Sequence, residues 1–414
     1  MLTKEQKEQF TEILDELGAS LDISETEFNA AVQSYKAVGS WLCSDGSLLK
    51  PYNPTVKPQG SMILGTTVKP IDKNIDLDLD IVCELSGKNA SWTQKDLKEI
   101  VGDQLEKHKT YEALMDKEGR RCWTLLYRQN SETYRYHMDI LPAIIASGYN
   151  IILEKSFSNQ HNLTDVEQLS IRITDNKLPN YPREPNTDAW MLSNPFGYAK
   201  WFINRAMSAT HLSGQKMFSL NEAVKPMPTY QTQKYPLQRV VQILKRHRDM
   251  IYSNDPDRPI SIIITTLAAK AYGGQSNILD ALVDVINRMP QMIETRYDEN
   301  GFPFKFIGNP ALTNNEENFA DKWRECKKKQ DKFYNWLEKV KADIQNASEQ
   351  RGLAIQENLS KAFGHTEVSK AFINIGERKR LLTEQGANRL DTKVGIVAGA
   401  ANAIKPHNFY GSED

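Results

Sequence analysis

The sequence is poor in several things that usually organise a protein. It holds four cysteines in 414 residues, Cys43, Cys83, Cys122 and Cys326, with no C-x-x-C or C-x-C pair among them. That spacing argues against a disulfide framework or a structural zinc knuckle, and reduced thiols in a cytosolic protein are expected. Neither sign of charge is in excess: 52 Lys and Arg against 53 Asp and Glu leave a formal charge of -1. Affinity for long nucleic acid comes largely from clustered cations neutralising phosphates, so a polymer-gripping protein is disfavoured, whereas small phosphorylated ligands are not. The strongest apolar run, Ile260 to Tyr272, is too short and too interrupted to span a bilayer, which takes about 20 apolar residues. The N-terminus, MLTKEQK, is too charged for a signal peptide, and a cytoplasmic location is expected. No internal repeat or low-complexity tract is present.

The chain is long enough for two or three domains with ordinary cores, since 40% of its residues are hydrophobic. Residues 4 to 17 and 24 to 43 read as helices, opened by Thr3-x-x-Gln6 and Ser24-x-x-Glu27. A loop carrying Pro51, Pro54 and Pro58 follows. From Gly60 to about Ala146, strand-like runs at 77–83, 123–127 and 134–141 alternate with a helix near 93–108, the pattern of an α/β or α+β catalytic half. Residues 147–235, rich in Pro, Asn and Ser, read as a long irregular connection with one helix near Gly197 to Met207. Helical periodicity dominates from Pro236 on, including one helix from about 315 to 346. Its Phe319, Trp323, Cys326, Phe333, Leu337, Val340 and Ile344 form a core stripe, and Lys327-Lys328-Lys329 its solvated side. The divisions expected are 1–45 for N-terminal helices touching both lobes, 46–235 for the catalytic core with its connection, 236–385 for a helical domain, and 386–414 for a partly flexible tail.

The chemistry concentrates in Gly60-Ser61-Met62-Ile63-Leu64-Gly65 and in Ile75-Asp76-Leu77-Asp78-Leu79-Asp80-Ile81-Val82-Cys83. On a strand successive side chains alternate faces, so Asp76, Asp78 and Asp80 share one side while Leu77, Leu79 and Ile81 bury on the other. Such a row of carboxylates either faces solvent or recruits cations, and an all-oxygen set suits Mg²⁺ or Mn²⁺ rather than zinc. Tyr136-His137-Met138-Asp139-Ile140-Leu141 is a second short strand with a single Asp. Placed beside the first, it completes a three-acid cradle for the two ions that activate an attacking hydroxyl and stabilise leaving pyrophosphate. Gly60 allows close backbone approach, and Ser61 offers a hydroxyl and an N–H to phosphate oxygens.

Gly-Ser, a D-x-D strand and a later lone Asp together resemble the DNA polymerase β-like nucleotidyltransferases. Asp78-Leu79-Asp80-Ile81-Val82-Cys83, Ser193-Asn194-Pro195-Phe196-Gly197-Tyr198-Ala199-Lys200-Trp201-Phe202 and the run from Pro236 to Asp249 narrow the likeness to the bacterial cGAS/DncV-like nucleotidyltransferases, over roughly residues 40 to 280. The resemblance implies an α+β core of mixed sheet and flanking helices packed on a C-terminal helical domain across a cleft. It implies Asp78, Asp80 and Asp139 as catalytic and metal-holding acids, with Asp76 and Asp78 as the pair if the register differs. Gly60, Ser61, Lys245 and Ser261 become the nucleotide-binding residues, Ser261 as the cap of its helix; Lys245 also reads as a surface lysine flanking Leu244. The implied activity is Mg²⁺-dependent synthesis of a cyclic oligonucleotide from NTPs, ATP or GTP foremost, as a second messenger of anti-phage defence read by an effector protein encoded nearby. The residue after Ser261 is Ile262, where animal relatives carry a base-stacking aromatic, and no His/Cys zinc insertion is present. Activation by double-stranded DNA is therefore not expected.

Two other readings compete. A linear nucleotidyltransferase acting on RNA, protein or a small molecule calls for a basic groove or an added RNA-binding domain, which the balanced charge does not offer. A non-catalytic nucleotide-binding protein has no need to keep mutually repelling carboxylates. A P-loop is excluded: Gly60-x4-Gly65 has the glycine spacing, but Thr66 stands where the phosphate-binding lysine belongs.

Overall fold

The computed structural model describes residues 2–72, 75–127, 135–146, 169–208, 224–253, 255–312, 317–385, 388–391, 395–398 and 402–403. Two helices open the chain, α1 (Lys4–Ser20) and α2 (Glu25–Leu42). Each starts on a capping box, Thr3 with Gln6 and Ser24 with Glu27, in which side chain and backbone satisfy each other reciprocally. A cap of this kind is worth about 1 kcal/mol and sets the helix boundary. The two helices are sequence neighbours yet bury into different cores. Phe10, Ile13, Leu14 and Leu17 of α1 join the helical core, while Ala31, Tyr35, Val38 and Leu42 of α2 join the core under the sheet.

The catalytic half follows as β1 (Pro54–Gln59), α3 (Gly60–Leu64), β2 (Leu77–Leu85), α4 (Gln94–Glu106), α5 (Lys109–Leu114), β3 (Trp123–Tyr127), β4 (Tyr136–Ile145), β5 (Ile171–Ile173) and β6 (Met191–Ser193). These strands form one mixed sheet in the order β1-β2-β4-β5-β6, with β3 beside the first half of β4. Only β2 and β4 pair in parallel; the other pairs are antiparallel. The proline-bearing stretch expected as a loop is in part the edge strand β1. Pro54 and Pro58 share the parity of Val56, whose carbonyl faces away from the ladder and accepts the Lys225 N–H, so the missing proline donors cost no ladder bond. Leu77, Leu79, Ile81, Cys83 and Leu85 pack beneath the sheet with α2 and α4.

The helical half comprises α6 (Pro195–Met207), α7 (Pro236–Tyr252), α8 (Ser261–Ala271), α9 (Ile278–Arg288), the hairpin β7 (Glu294–Tyr297) and β8 (Pro303–Phe306), then α10 (Asp321–Glu325), α11 (Lys327–Glu349), α12 (Leu353–Phe363) and α13 (His365–Glu384). The single helix expected over 315–346 is two, because Cys326 takes an extended backbone (φ -138°, ψ 92°) between α10 and α11. Of the expected stripe, Trp323, Phe333, Leu337, Val340 and Ile344 enter the core, whereas Cys326 at the break is half-buried and Phe319 lies before the helix, partly buried. Arg378 on α13 binds Glu12 and Glu16 on α1, clasping the two ends of the described helical core. The expected flexible tail is corrected in part. β9 (Asn388–Asp391), β10 (Gly395–Ala398) and β11 (Asn402–Ala403) form a small antiparallel sheet in the order β10-β9-β11. Strands of two to four residues leave too little alternation to be legible in sequence. Pro406 to Asp414 lie outside the described residues. Among the described residues, no helix is long and apolar enough to cross a membrane. The architecture is α+β.

Candidate active site

The parallel pairing of β2 with β4 sets Asp80 directly opposite Asp139 and Asp78 opposite His137. Directly opposed residues of neighbouring strands point to the same face, so the acids from two separate sequence segments meet on the side of the sheet away from α2 and α4. β3 adds a support: its Thr124 is opposite Asp139 and donates a 2.6 Å hydrogen bond from Oγ1 to Asp139 Oδ1. Asp78 is two-thirds exposed, whereas Asp76 keeps only 7% of its side-chain surface and lies 3.3 Å from the Arg135 guanidinium. The row of three on one strand therefore divides. Asp76 is neutralised by a neighbour, and Asp78 and Asp80 face the open cleft, with Asp139 next to Asp80 on the neighbouring strand.

Electrostatics mark Asp80 as the strained member. Burial, then the charges of Asp78 and Asp139, push its pKa up to about 7. His137 and Lys245 pull it the other way without offsetting the burial. His137 Nε2 lies 3.1 Å from Asp78 and 3.9 Å from Asp139, between the two carboxylates. Among the described residues no group of three or more His, Cys, Asp or Glu side chains converges in ligating geometry. The donor set nonetheless suits hard divalent cations: carboxylate oxygens on neighbouring strands, mutually repelling, with Asp78 largely exposed.

The segment after β1 forms the adjoining wall. Gly60 has φ +68°, and a Cβ there would fall on the Asp80 carboxylate, so any other residue is excluded by both backbone and space. The Ser61 hydroxyl accepts a 3.1 Å hydrogen bond from Thr67 Oγ1. From the other side α7 reaches across and binds the carbonyls of this segment one after another. Gln238 donates to Leu64 O (2.8 Å), Lys245 to Thr66 O (3.0 Å), Gln242 to Thr67 O (2.7 Å) and Arg246 to Lys69 O (2.7 Å). Lys245 is thus no surface lysine. Burial, reinforced by Arg248, lowers its pKa to about 8, against the opposing pull of Asp249, Asp78 and Asp80. Ser261 does not cap α8: Ile260 holds the cap position without a side-chain bond, and Ser261 is the first helical residue. Its hydroxyl accepts instead from Arg248 Nη1 at 3.0 Å, because the same guanidinium also holds Pro259 O and brings the α7–α8 link inward.

These walls enclose a cavity of about 570 Å³ lined by Asp78, Asp80, Gly60, Ser61, Lys245 and Ser261. Every acid and phosphate-binding candidate lines it except Asp139, next to Asp80 on the neighbouring strand, and the alternative acid Asp76. Arg121, Arg248, Arg258, Glu317 and Phe319 line it as well. Arg121, Arg258 and Glu317 had no local signal; Arg248 lay unassigned in the 236–249 run, and Phe319, expected in a helical core stripe, instead lies in an extended stretch paired with 307–309 and reaches the cavity. A second cavity, of about 550 Å³, lies beside Phe28, Ile203 and Tyr230. Asp22, the one acid among its described lining residues, is already paired with Lys234 and Arg239, so it offers no charge for chemistry.

Residues 54–142 match the family described as cyclic GMP-AMP synthase DncV-like, nucleotidyltransferase domain. Over 99% of its length the chain is 27% identical to a protein of Roseivirga ehrenbergii named c-di-GMP synthase, all of which is covered. The cyclic dinucleotide synthase CdnG of Bradyrhizobium diazoefficiens is 20% identical over 95% of this chain and 89% of its own. The solved structure of that CdnG in complex with GTP superposes with a TM-score of 0.62, covering 89% of this chain and 99% of the other at 20% identity. A structure of E. coli CdnC with ATP covers 85% and 96% at 14% identity, with a TM-score of 0.56. With its acids gathered on one sheet face, the matched segment 54–142 is a nucleotidyltransferase domain of DncV-like type, and the chain around it is a nucleotidyltransferase similar along its length to cyclic dinucleotide synthases.

Proposed function

We propose that the protein joins nucleoside triphosphates into a cyclic oligonucleotide that serves as a second messenger in anti-phage defence. The observation that carries this reading is the register placing Asp80 against Asp139, beside a cleft that also receives Lys245 and Ser61. The Roseivirga and Bradyrhizobium relatives are named as cyclic dinucleotide synthases, and the CdnG structure holds GTP and the CdnC structure ATP, which makes these the first substrates to test.

In the reaction proposed, a ribose hydroxyl oxygen of one nucleotide bonds to the α-phosphorus of another, the bond to pyrophosphate breaks, and the hydroxyl proton is lost. A second transfer within the linear product closes the ring. Asp78, Asp80 and Asp139 are the residues suited to hold Mg²⁺ or Mn²⁺, which would lower the pKa of the attacking hydroxyl and offset charge on the leaving pyrophosphate. Thr124 holds one oxygen of Asp139 and leaves the second, 3.9 Å from His137 Nε2, to take part in metal binding. Lys245, fixed by Thr66 O through one of its three N–H groups, keeps two for triphosphate oxygens, and Ser61 adds a hydroxyl. Most of the rate enhancement is positioning and charge neutralisation. The helical half, with α7 as its inner wall, closes the cleft over two nucleotides, and the product leaves for an effector protein.

The test is incubation of the purified protein with radiolabelled NTPs and Mg²⁺, followed by phosphatase. A phosphatase-resistant small product is expected. Labelled polymer or labelled macromolecule would instead favour a linear nucleotidyltransferase, and no product from any NTP would remove the proposal.

A further inference from the structure

The position after Ser261, where a base-stacking aromatic is sought, is Ile262, so the base must be read from elsewhere in the cleft. The segment from Glu317 to Phe319 runs antiparallel to 307–309: Asn309 N donates to Glu317 O (3.0 Å), Phe319 N donates to Ile307 O (2.9 Å), and Gly308 pairs with Asn318. In such an extended stretch alternate side chains point to opposite sides. Asn318 turns away and binds backbone, accepting from Ile307 N and Ala320 N at 2.9 Å each. Glu317 and Phe319 therefore turn together into the cleft that also contains Asp78, Asp80 and Lys245.

Both side chains are held before any ligand arrives. Glu317 accepts 2.7 Å from Asn309 Nδ2 and 3.3 Å from Ser193 Oγ. These two bonds fix the plane of the carboxylate while leaving lone pairs on both oxygens, since an ionised carboxylate offers about four acceptor sites. Phe319 meets the ring of Tyr198 edge to face at 6.0 Å, which holds its own ring in place. A carboxylate with two parallel acceptors complements adjacent donors, and among the common bases only guanine presents two, N1–H and N2–H₂, side by side on its pairing edge. Adenine would bring its N1 lone pair against a carboxylate oxygen.

We infer that Glu317 and Phe319 form the base-reading wall of the cleft and select guanine, Phe319 by stacking and Glu317 by accepting from N1–H and N2–H₂. The inference rests on the proposed nucleotidyl transfer for its context, but it is read from binding alone. The test is equilibrium binding of non-hydrolysable α,β-methylene analogues of GTP, ATP and ITP to the full chain with Mg²⁺. Because hydrogen-bonding sites reject ligands that leave them unpaired, the GTP analogue should bind at least ~10-fold tighter than either the ATP analogue or the ITP analogue, which lacks the 2-amino group. Glu317→Gln should bring both ratios to within about 3-fold. Phe319→Ala should weaken all three analogues by a similar factor, ~10-fold, with the ratios intact, since stacking tolerates any base. A merely structural role for Glu317 would lower all affinities together. Equal binding of the GTP and ITP analogues by the unaltered protein, or unchanged ratios in Glu317→Gln, would overturn the inference. Failure of the unaltered protein to turn over any NTP would remove the proposed function and leave these ratios to be read as before.

Discussion

Two regions of the molecule bury charge, and they do it in opposite ways. On the sheet, Asp78, Asp80 and Asp139 crowd one face, and the result is an Asp80 whose pKa rises to about 7. On α7, Arg239 is just as deeply placed but is surrounded by partners: Asp22 at 2.8 Å, Gly18 O at 2.7 Å, Gln242 at 3.0 Å and Thr232 O at 2.9 Å. A satisfied polar network rigidifies the structure around it, whereas an uncompensated one stores unfavourable energy that a ligand can release. The α7 network has a structural task, fastening α1 and the segment after α3 to the helical half. The sheet acids, which His137 and Lys245 offset only in part, have the functional one proposed above.

That contrast is broken most directly at Asp139. Asp139→Asn should cut NTP turnover by at least ~1000-fold, since several kcal/mol of charge stabilisation would pass through the acids proposed to hold the metal. The same change removes a repelling neighbour of Asp80, so the melting temperature should hold or rise; a large fall would show that the acid is structural. Arg239→Ala should do the reverse. Leaving Asp22 facing one cation fewer and the Gly18 and Thr232 carbonyls unbound should cost ~3–5 kcal/mol in denaturant unfolding, and a loss under 1 kcal/mol would contradict the structural reading of the network.

His247 sharpens the comparison with pH. It is buried on α7 with Nε2 3.1 Å from Asp343, and burial lowers its pKa to about 4 from the usual 6.5. The unfolded chain takes up a proton below 6.5 while the folded one resists until about 4. Stability from this group is therefore complete above pH 6.5 and is lost as pH falls through 4, by up to about 3 kcal/mol. Urea midpoints from pH 7.5 to 4 should show the decline, and His247→Gln should flatten it. A slope that survives the substitution would assign it to other groups. Lys245→Met should raise the KM for NTPs ~10–100-fold, the loss of one charge-assisted contact to triphosphate, with kcat changed less; an unaltered KM would return Lys245 to the structural side. The smallest effect is expected at Thr124→Val, a ~3–10-fold drop in kcat from loss of one orienting hydrogen bond. No change in kcat would show that the sheet alone positions Asp139.

Legibility in the sequence follows the range of the interactions. The capping boxes of α1 and α2 and the D-x-D alternation are local, and each was readable from a few residues. The parity of β2 alone sends Leu79 and Ile81 down and Asp78 and Asp80 up. Proline misled over Pro54–Gln59, because its penalty depends on whether the strand is at an edge, and that depends on pairing 20 or more residues away. The break at Cys326 and the short sheet at the end were hidden because neither interrupts a long pattern.

The sequence by itself determined the chemistry available: carboxylates in alternation, a glycine and serine before them, a lone Asp downstream and a lysine on a long helix. Side-chain identity and strand parity are properties of the local chain, so nothing beyond it was needed. Only the tertiary structure decided which of these meet. The β2–β4 register chose Asp80 and Asp139 as neighbours and left Asp76 to Arg135, the reach of α7 turned Lys245 inward, and the pairing of 317–319 with 307–309 brought Glu317 and Phe319 to the cleft. Each of those outcomes depends on contacts between segments distant in sequence, whose geometry exists only once the cores on both sides of the sheet have formed.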